Sequence, residues 1–301
     1  MRRFKFWKLD AFTTGASAGN PAGLVLLGRD EAITEEEMQR LATQVAGSGF
    51  VTEVAFARPL GAAELELRYF SCEREVPFCG HATVASVFHL LANVPEFVGQ
   101  HRLRLHTRKG VLDAENRIAE TGCVFIAAPA PEFPDIRVTP AEAAAALSLP
   151  LAALDERRNG GAAFLPVAEC GQKCLLVAVR TLAATVGCSP DYPTLRAFVE
   201  AKGLAAVVLH STETFLGDRA LRTRVFPPIF GYLEDPATGS GNAALAHWLR
   251  RSGEWTGETL AIEQGPDREK PNLVTIRACA NGSLQIGGCA VVRIAGEYLL
   301  H

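Results

Sequence analysis

The sequence predicts an α+β protein built from two similar domains, and three observations carry that prediction. The first is length. At 301 residues the chain exceeds what one hydrophobic core usually organises, so the interior is expected to divide. The second is the mixture of patterns, in which short strand-like runs alternate with helices that carry recognisable N-terminal signals. The third is an internal repeat: CGHATVASVF (79–88) matches SGNAALAHWL (240–249) as small residue, Gly, polar, Ala, any residue, aliphatic, Ala. Each copy follows a strand that ends in an aromatic, Phe70 or Phe226; two unrelated buried helices are the alternative source of the likeness.

Composition bounds the function. Apolar residues make up 48% and charged residues 21%, the balance of an ordinary folded protein. A net charge of −3, with no Lys/Arg run interleaved with aromatics, argues against a nucleic-acid partner. The start, MRRFKFWKLDAF, is basic but reaches Asp10 before an apolar region forms, and no apolar run approaches the roughly 20 residues of a membrane span. A soluble, cytoplasmic protein without a membrane partner is expected. The 8 cysteines include no C-x-x-C pair, and a chain of this size needs no disulfide staples, so reduced thiols are expected.

The elements follow in order. RFKFWKLDAF and AGLVLLG read as strands around the loop-like TTGASAGNP. Thr34 and Glu37 form a capping box, and Met38, Leu41, Ala42 and Val45 recur at helical spacing, so a helix is predicted over 34–46, stopped by Gly47 and Gly49. TEVAFAR reads as a strand, and ELELRYF alternates Leu65, Leu67 and Tyr69 against charged residues as a half-buried strand does. After Gly80, the run Ala82, Val84, Ala85, Phe88, Leu91 and Ala92 leaves almost no polar face and predicts a helix buried by sheet.

Strands are next expected at RLRLHT, GVLDAE and CVFIAAP, before PAPEFPDIRV, whose prolines and missing periodicity mark a linker. The expected domains are therefore 1–128 and 129–286, with 287–301 packing back onto the first. Thr139, Pro140 and Glu142 open the second half as a capping box with proline at the first helical position. CLLVAVR, AAVVLH and LRTRVF read as strands and PTLRAFVEAK as a helix ending at Gly203. LVTIRACANGSLQIGGCAVVRI reads as a hairpin about Asn281-Gly282.

The segments DAFTTGASAGNPAGLVLL, TEVAF, YFSCEREVPFCGHATVASVF, RVFPPIFGYLEDPATGSGNAALAHWL, AIEQG and GGCAVVRIAGEYL occur in that order. Together they resemble the phenazine-biosynthesis PhzF-like family of the diaminopimelate epimerase fold group, over essentially the whole chain. The resemblance implies two diaminopimelate epimerase-like domains, each a curled mixed β-sheet around a central α-helix, an active site in the cleft between them, and a homodimer. The chain departs from the family pattern at Ser71-Cys72, where Thr-Pro is common, at Glu269-Lys270-Pro271, where Gly-Arg-Pro is usual, and in GSGFVTE, which lacks Leu-Ser-Glu but keeps Glu53.

Helix starts carry unpaired N–H groups and partial positive charge, so two of them facing one cleft would receive a small anionic metabolite. Gly80 and His81 begin one; Thr238, Gly239, Ser240, Gly241 and Asn242 build the other, with a plain turn capped by Ser240 or Asn242 as the competing reading. Glu53 lies among Val51 and Val54, where desolvation is expected to raise its pKa toward the range of a general acid/base. The resemblance implies that this is the essential glutamate. His81 is expected to be neutral, with its pKa depressed by the helix start, and to hydrogen-bond substrate or relay a proton, unless the backbone satisfies it.

Asp235 either holds a substrate amine or hydroxyl, as the resemblance favours, or caps amides. Asn20 either closes the cleft or makes an Asn-Pro turn. Epimerases of this fold use two facing thiols, but the loop Asp235–Ser240 has none, which leaves Cys79 as a substrate-binding residue or a second base beside Glu53. Cys72, Cys79 and His81 lack a fourth ligand at metal-like spacing, and no metal is expected. GASAGN lacks the G-x-G-x-x-G fingerprint, and no other cofactor is expected. The resemblance, with these residues, implies a PhzF-like cofactor-independent isomerase that moves a proton, and with it a double bond, in a small carboxylate. An epimerase using Glu53 and Cys79 and a non-catalytic binding protein are the alternatives.

Overall fold

The computed structural model describes residues 1–159, 161 and 163–301. The chain divides into two compact units, one of residues 1–127 and 287–301, the other of residues 128–286.

In the first unit β1 (Arg2–Ala11) and β2 (Asn20–Leu26) precede α1 (Glu35–Gly47), β3 (Glu53–Gly61), β4 (Glu64–Ser71) and the short β5 (Glu75–Val76). Then come α2 (Gly80–Asn93), β6 (Arg102–Thr107), β7 (Gly110–Arg117), the single-turn α3 (Ile118–Thr121) and β8 (Cys123–Ala127). The second unit contains α4 (Pro140–Ala146), β9 (Val167–Glu169), β10 (Lys173–Ala178), α5 (Leu182–Gly187), α6 (Tyr192–Ala201), β11 (Ala206–Ser211) and β12 (Leu221–Phe226). It continues through α7 (Gly239–Arg251), β13 (Leu260–Gln264), β14 (Asn272–Ala278) and β15 (Leu284–Gly288), after which β16 (Ala290–Leu300) returns to the first unit.

The two units repeat one topology. From β1 to β7 the partners run antiparallel β1/β2, parallel β2/β3, antiparallel β3/β4, parallel β4/β6 and antiparallel β6/β7. From β9 to β14 the series is identical: antiparallel β9/β10, parallel β10/β11, antiparallel β11/β12, parallel β12/β13 and antiparallel β13/β14. Each parallel pair needs a crossover, and helices supply it at the same places, with α2 joining β4 to β6 and α7 joining β12 to β13. The sequence repeat therefore falls on equivalent helices.

Each central helix organises its own unit. α2 touches β1, β2, β3, β7, β8 and β16, strands from both ends of the order β16-β1-β2-β3-β4-β6-β7-β8, so this sheet curls around it. Nine of its residues, Ala82 to Val87 and His89 to Leu91, are buried, as its apolar periphery requires. α7 likewise touches β9, β10, β11 and β14. Close packing makes Gly288 obligatory, because a Cβ there would stand 2.4 Å from the Phe12 ring.

The core of the second unit also holds a fully buried ion pair. Arg222 of β12 lies opposite Glu263 of β13, Nη1 to Oε2 3.1 Å, with both side chains at 0% exposure. Its Nη2 donates to the carbonyls of Gly265 and Asp267, while Glu263 accepts from the amides of Phe215 (3.0 Å) and Leu216 (2.7 Å).

Two details differ from the sequence expectation. β2 begins at Asn20, not after Pro21, because Asn20 already pairs with Ala11 and Pro21 with Asp10. β5 is a two-residue strand on β4, too short to leave a periodicity. Among the described residues no helix is long and apolar enough to cross a membrane.

Candidate active site

Glu53 is the first residue of β3, paired with Ala22 of β2 and with Ser71 at the end of β4. The chain leaving β4 turns through β5 and Pro77-Phe78 into α2, which brings Cys79 and His81 to the same end of the sheet as Glu53. His81 Nε2 lies 3.3 Å from Glu53 Oε2, and the two side chains keep 14% and 22% exposure, enough for a small ligand to reach them. Glu53 Oε2 is itself buried, and its approach to the imidazole is off the line of a hydrogen bond. Cys79 Sγ lies 3.5 Å from His81 Nδ1 and 3.8 Å from Nε2, and Thr52 Oγ1 lies 3.2 Å from Nε2.

Electrostatics in this cluster run opposite to the sequence expectation. Burial pushes the Glu53 carboxyl up, but the close approach and charge of His81, helped by Thr52 and Cys79, outweigh it and hold Glu53 below its ordinary 4.5. Burial likewise opposes a charged His81, yet the Cys79 sulfur and the Glu53 carboxylate outweigh it and hold the imidazole well above 6.5. Burial raises the Cys79 thiol, and Glu53 adds to the effect against the pull of His81. The Cys79 sulfur is the larger influence on His81 and the Glu53 carboxylate the second. The expectations of a raised Glu53 and a neutral His81 are thus both corrected, because the two groups lie 3.3 Å apart and each shifts the other.

The start of α2 is built to stay open. Its N-cap, Cys79, makes no side-chain cap, and its first turn holds no acidic residue. Thr83 Oγ1 donates to the Cys79 carbonyl at 2.6 Å; with that hydrogen committed, the buried Tyr69 hydroxyl donates to Thr83 Oγ1 at 2.7 Å. Tyr69 and Thr83 thereby fix the backbone that presents Cys79, Gly80 and His81. A Cβ at Gly80 would meet only the Phe78 ring, at 3.9 Å, so packing within this unit does not demand glycine there.

The second helix start, in the other unit, has the same character. Thr238, the N-cap of α7, provides no side-chain cap, and no acidic residue occupies the first turn. α1, α4, α5 and α6, by contrast, are capped by Thr34, Thr139, Thr181 and Asp191. Ser240 and Asn242 do not support the plain-turn reading. Ser240 Oγ accepts from Gln172, and Asn242 bridges the Thr238 carbonyl (2.9 Å), Gln264 Oε1 (2.6 Å) and the Thr223 hydroxyl (3.0 Å). Gln264 also accepts from the Thr238 amide at 2.8 Å and donates to the Asp235 carbonyl at 2.9 Å. Asp235 Oδ2 accepts from the Thr238 hydroxyl, and Gly239 begins the helix.

Of the residues expected in the site, Glu53, Cys79, Gly80 and His81 converge in the first unit. Asn20 is there too, 1% exposed, two residues before the β2 partner of Glu53. Asp235, Thr238, Gly239 and Ser240 form one loop and helix start in the second. Thr52, Tyr69, Thr83, Gln172 and Gln264 were given no role in the site in advance, although CGHAT and AIEQG contain two of them. Cys72 is exposed, and the third donor beside Cys79 and His81 is Glu53, the three donor atoms lying within 4.8 Å of one another.

Comparison with known proteins identifies the family. The sequence profile of the family described as phenazine biosynthesis-like protein (PhzC-PhzF) matches residues 9–296. The protein named Uncharacterized isomerase YfhB, of Bacillus subtilis (strain 168), is 31% identical over 92% of this chain and 91% of its own. The trans-2,3-dihydro-3-hydroxyanthranilate isomerase of Pseudomonas aeruginosa is 29% identical over 90% of this chain and 88% of its own. A crystal structure of the Bacillus anthracis phenazine biosynthesis protein, PhzF family, superposes with a TM-score of 0.84 at 26% identity and covers 100% of both chains. The profile match over nearly the whole chain and the 31% identity to a named isomerase show that the chain belongs to the phenazine biosynthesis-like family of isomerases.

Proposed function

We propose that this protein is a cofactor-independent isomerase in which Glu53 takes a proton from carbon in a small carboxylate-bearing metabolite and returns it elsewhere, moving a double bond. The observation that carries the reading is geometric: Glu53, with one buried oxygen that no donor is aligned to, lies 3.3 Å from His81 at an uncapped helix start. The electrostatics favour an ionised Glu53 beside a protonated His81. A carboxylate free of a committed hydrogen bond can accept a proton from carbon. The imidazolium and the first-turn amides of α2 offer positive charge to the anion that develops as the proton leaves. The corrected protonation states make His81 an electrostatic stabiliser and hydrogen-bond donor instead of a neutral relay. For Asp235, Thr238, Gly239 and Ser240 the proposed role is to hold substrate polar groups. A homodimer in the cytoplasm belongs to the same proposal and rests on the family resemblance.

The epimerase alternative needs Cys79 as a second base, and its buried thiol, held above its ordinary value, does not favour that role. The Cys79→Ser variant separates the two when assayed on a panel of small amino- and hydroxy-carboxylates. A one-base isomerase keeps its turnover within a few-fold, whereas racemisation by two bases is lost. Selective loss of inversion at carbon in the serine variant would favour the epimerase.

A pH profile of kcat/KM reads the free enzyme's groups. Glu53 works as the carboxylate, so activity falls as pH drops through its lowered pKa, and this acid limb is expected below pH 4.5. His81 works protonated, so activity falls as pH rises through its raised value, and the alkaline limb is expected above pH 6.5. An acid limb centred between those two values, absent in Glu53→Gln, would contradict the assigned protonation states.

A further inference from the structure

Glu53, Cys79 and His81 are, among the described residues, the one group of three His, Cys, Asp or Glu side chains whose donor atoms lie close enough to share an ion. We infer that Glu53 Oε2, Cys79 Sγ and His81 Nε2 form a three-donor site for a borderline-soft divalent cation, Zn2+, and that its occupancy switches the enzyme off. Thiolate, imidazole and carboxylate are the three zinc ligands of proteins, and tetrahedral bonds at the usual zinc distances place S and N about 3.6 Å apart and N and O about 3.4 Å apart. The corresponding separations are 3.8 Å and 3.3 Å before any ion is bound. No pair exceeds 4.8 Å, so closure on the ion asks for side-chain rotation and no movement of the sheet.

Three further observations favour binding. The three residues sit at rigid positions, the first residue of β3 and the N-cap and second residue of α2, with the Cys79 carbonyl held by Thr83. Glu53 Oε2 is buried without an aligned donor, so its coordination displaces no hydrogen bond, and His81 Nε2 gives up only its contact with Thr52. His81 and Glu53 remain partly open, which leaves an entry path and a fourth position for water. Binding forms the Zn–S, Zn–N and Zn–O bonds and releases the thiol and imidazolium protons to solvent. Coordination occupies the Glu53 oxygen that would accept the substrate proton. The inhibition therefore rests on the proposed role of Glu53, whereas the coordination itself does not.

Cobalt(II) titration of the full-length protein, followed by zinc displacement, tests the site without reference to turnover. One cobalt per chain with a near-ultraviolet thiolate-to-cobalt charge-transfer band is expected. The band should vanish in Cys79→Ser and persist in Cys72→Ser, which removes an exposed thiol outside the cluster. His81→Asn and Glu53→Gln should each weaken zinc at least about tenfold, the loss already typical of removing an outer-shell partner. A band that survives Cys79→Ser, or is lost with Cys72→Ser, overturns the assignment, as does the lack of any band in excess cobalt. X-ray absorption of the zinc-loaded wild type covers the case of a variant that fails to fold: one sulfur in the shell supports the site, and a shell of nitrogen and oxygen alone refutes it. If the band appears and zinc does not inhibit, the site stands and the catalytic role of Glu53 falls.

Discussion

Replacing Glu53 with glutamine is expected to lower turnover by about 10²–10⁴-fold, the usual contribution of a positioned general acid–base. Glutamine keeps the size of the side chain and its place at the head of β3, so the folded structure should persist. The substitution removes the only function the carboxylate alone supplies, a basic oxygen that His81 approaches without a committed hydrogen bond. It also removes one of the two groups that favour the proton on His81, so the imidazole should titrate lower in the variant than in the wild type. A histidine C–H resonance followed by NMR through the pH range would report this second effect. Unchanged turnover in a correctly folded Glu53→Gln would remove Glu53 from the mechanism.

Arg222→Ala is expected to cost about 3–5 kcal/mol of stability, the range for breaking a buried ion pair, because it leaves Glu263 charged in a fully buried position. The loss should appear as a lower urea midpoint with an unchanged m-value. Two backbone amides still solvate Glu263, which favours the lower part of the range. The double variant Arg222→Met/Glu263→Leu should recover only part of the loss. It leaves the Phe215 and Leu216 amides and the Gly265 and Asp267 carbonyls without these partners. The effect reaches the second helix start, since the next register pair, Thr223 and Gln264, holds Asn242 and Thr238. A loss below about 1 kcal/mol would mean that the pair merely offsets its own desolvation.

The parts of this fold that were legible in the sequence are those with local signatures. Thr34/Glu37 and Thr139/Glu142 both make the reciprocal cap that their spacing specifies. The match between CGHATVASVF and SGNAALAHWL falls on α2 and α7, which occupy equivalent places in two identical pairing series. Short pieces such as β5 and β9 were not legible, since two or three residues carry no period, and the start of β2 was obscured by Asn-Pro, which usually marks a turn.

The candidate site divides along the same line. Gly80, His81, Gly239 and Ser240 stand out because helix starts rich in small residues have a recognisable composition. Glu53 was marked only by its apolar neighbours and by the family resemblance. Its protonation was misjudged because the deciding partner, His81, belongs to a different element and meets it only through the fold. Burial alone would have raised Glu53, and the imidazole at 3.3 Å, helped by Thr52 and Cys79, reverses the sign. Thr83 and Gln264 escaped for a related reason, since a single hydroxyl or amide in a helix or strand gives no sign of its buried partners, and Tyr69 was legible only as part of an apolar strand face.

The most direct test of the proton-shuttle account is conversion of a turned-over carboxylate in D2O, with the position and deuterium content of the product read by NMR for wild type and Glu53→Gln. The account predicts a product with a relocated proton that forms only when Glu53 is present. That proton is deuterium where the protonated carboxyl exchanges with solvent, and protium where transfer outruns exchange. The same relocated product forming at the wild-type rate in Glu53→Gln would contradict it.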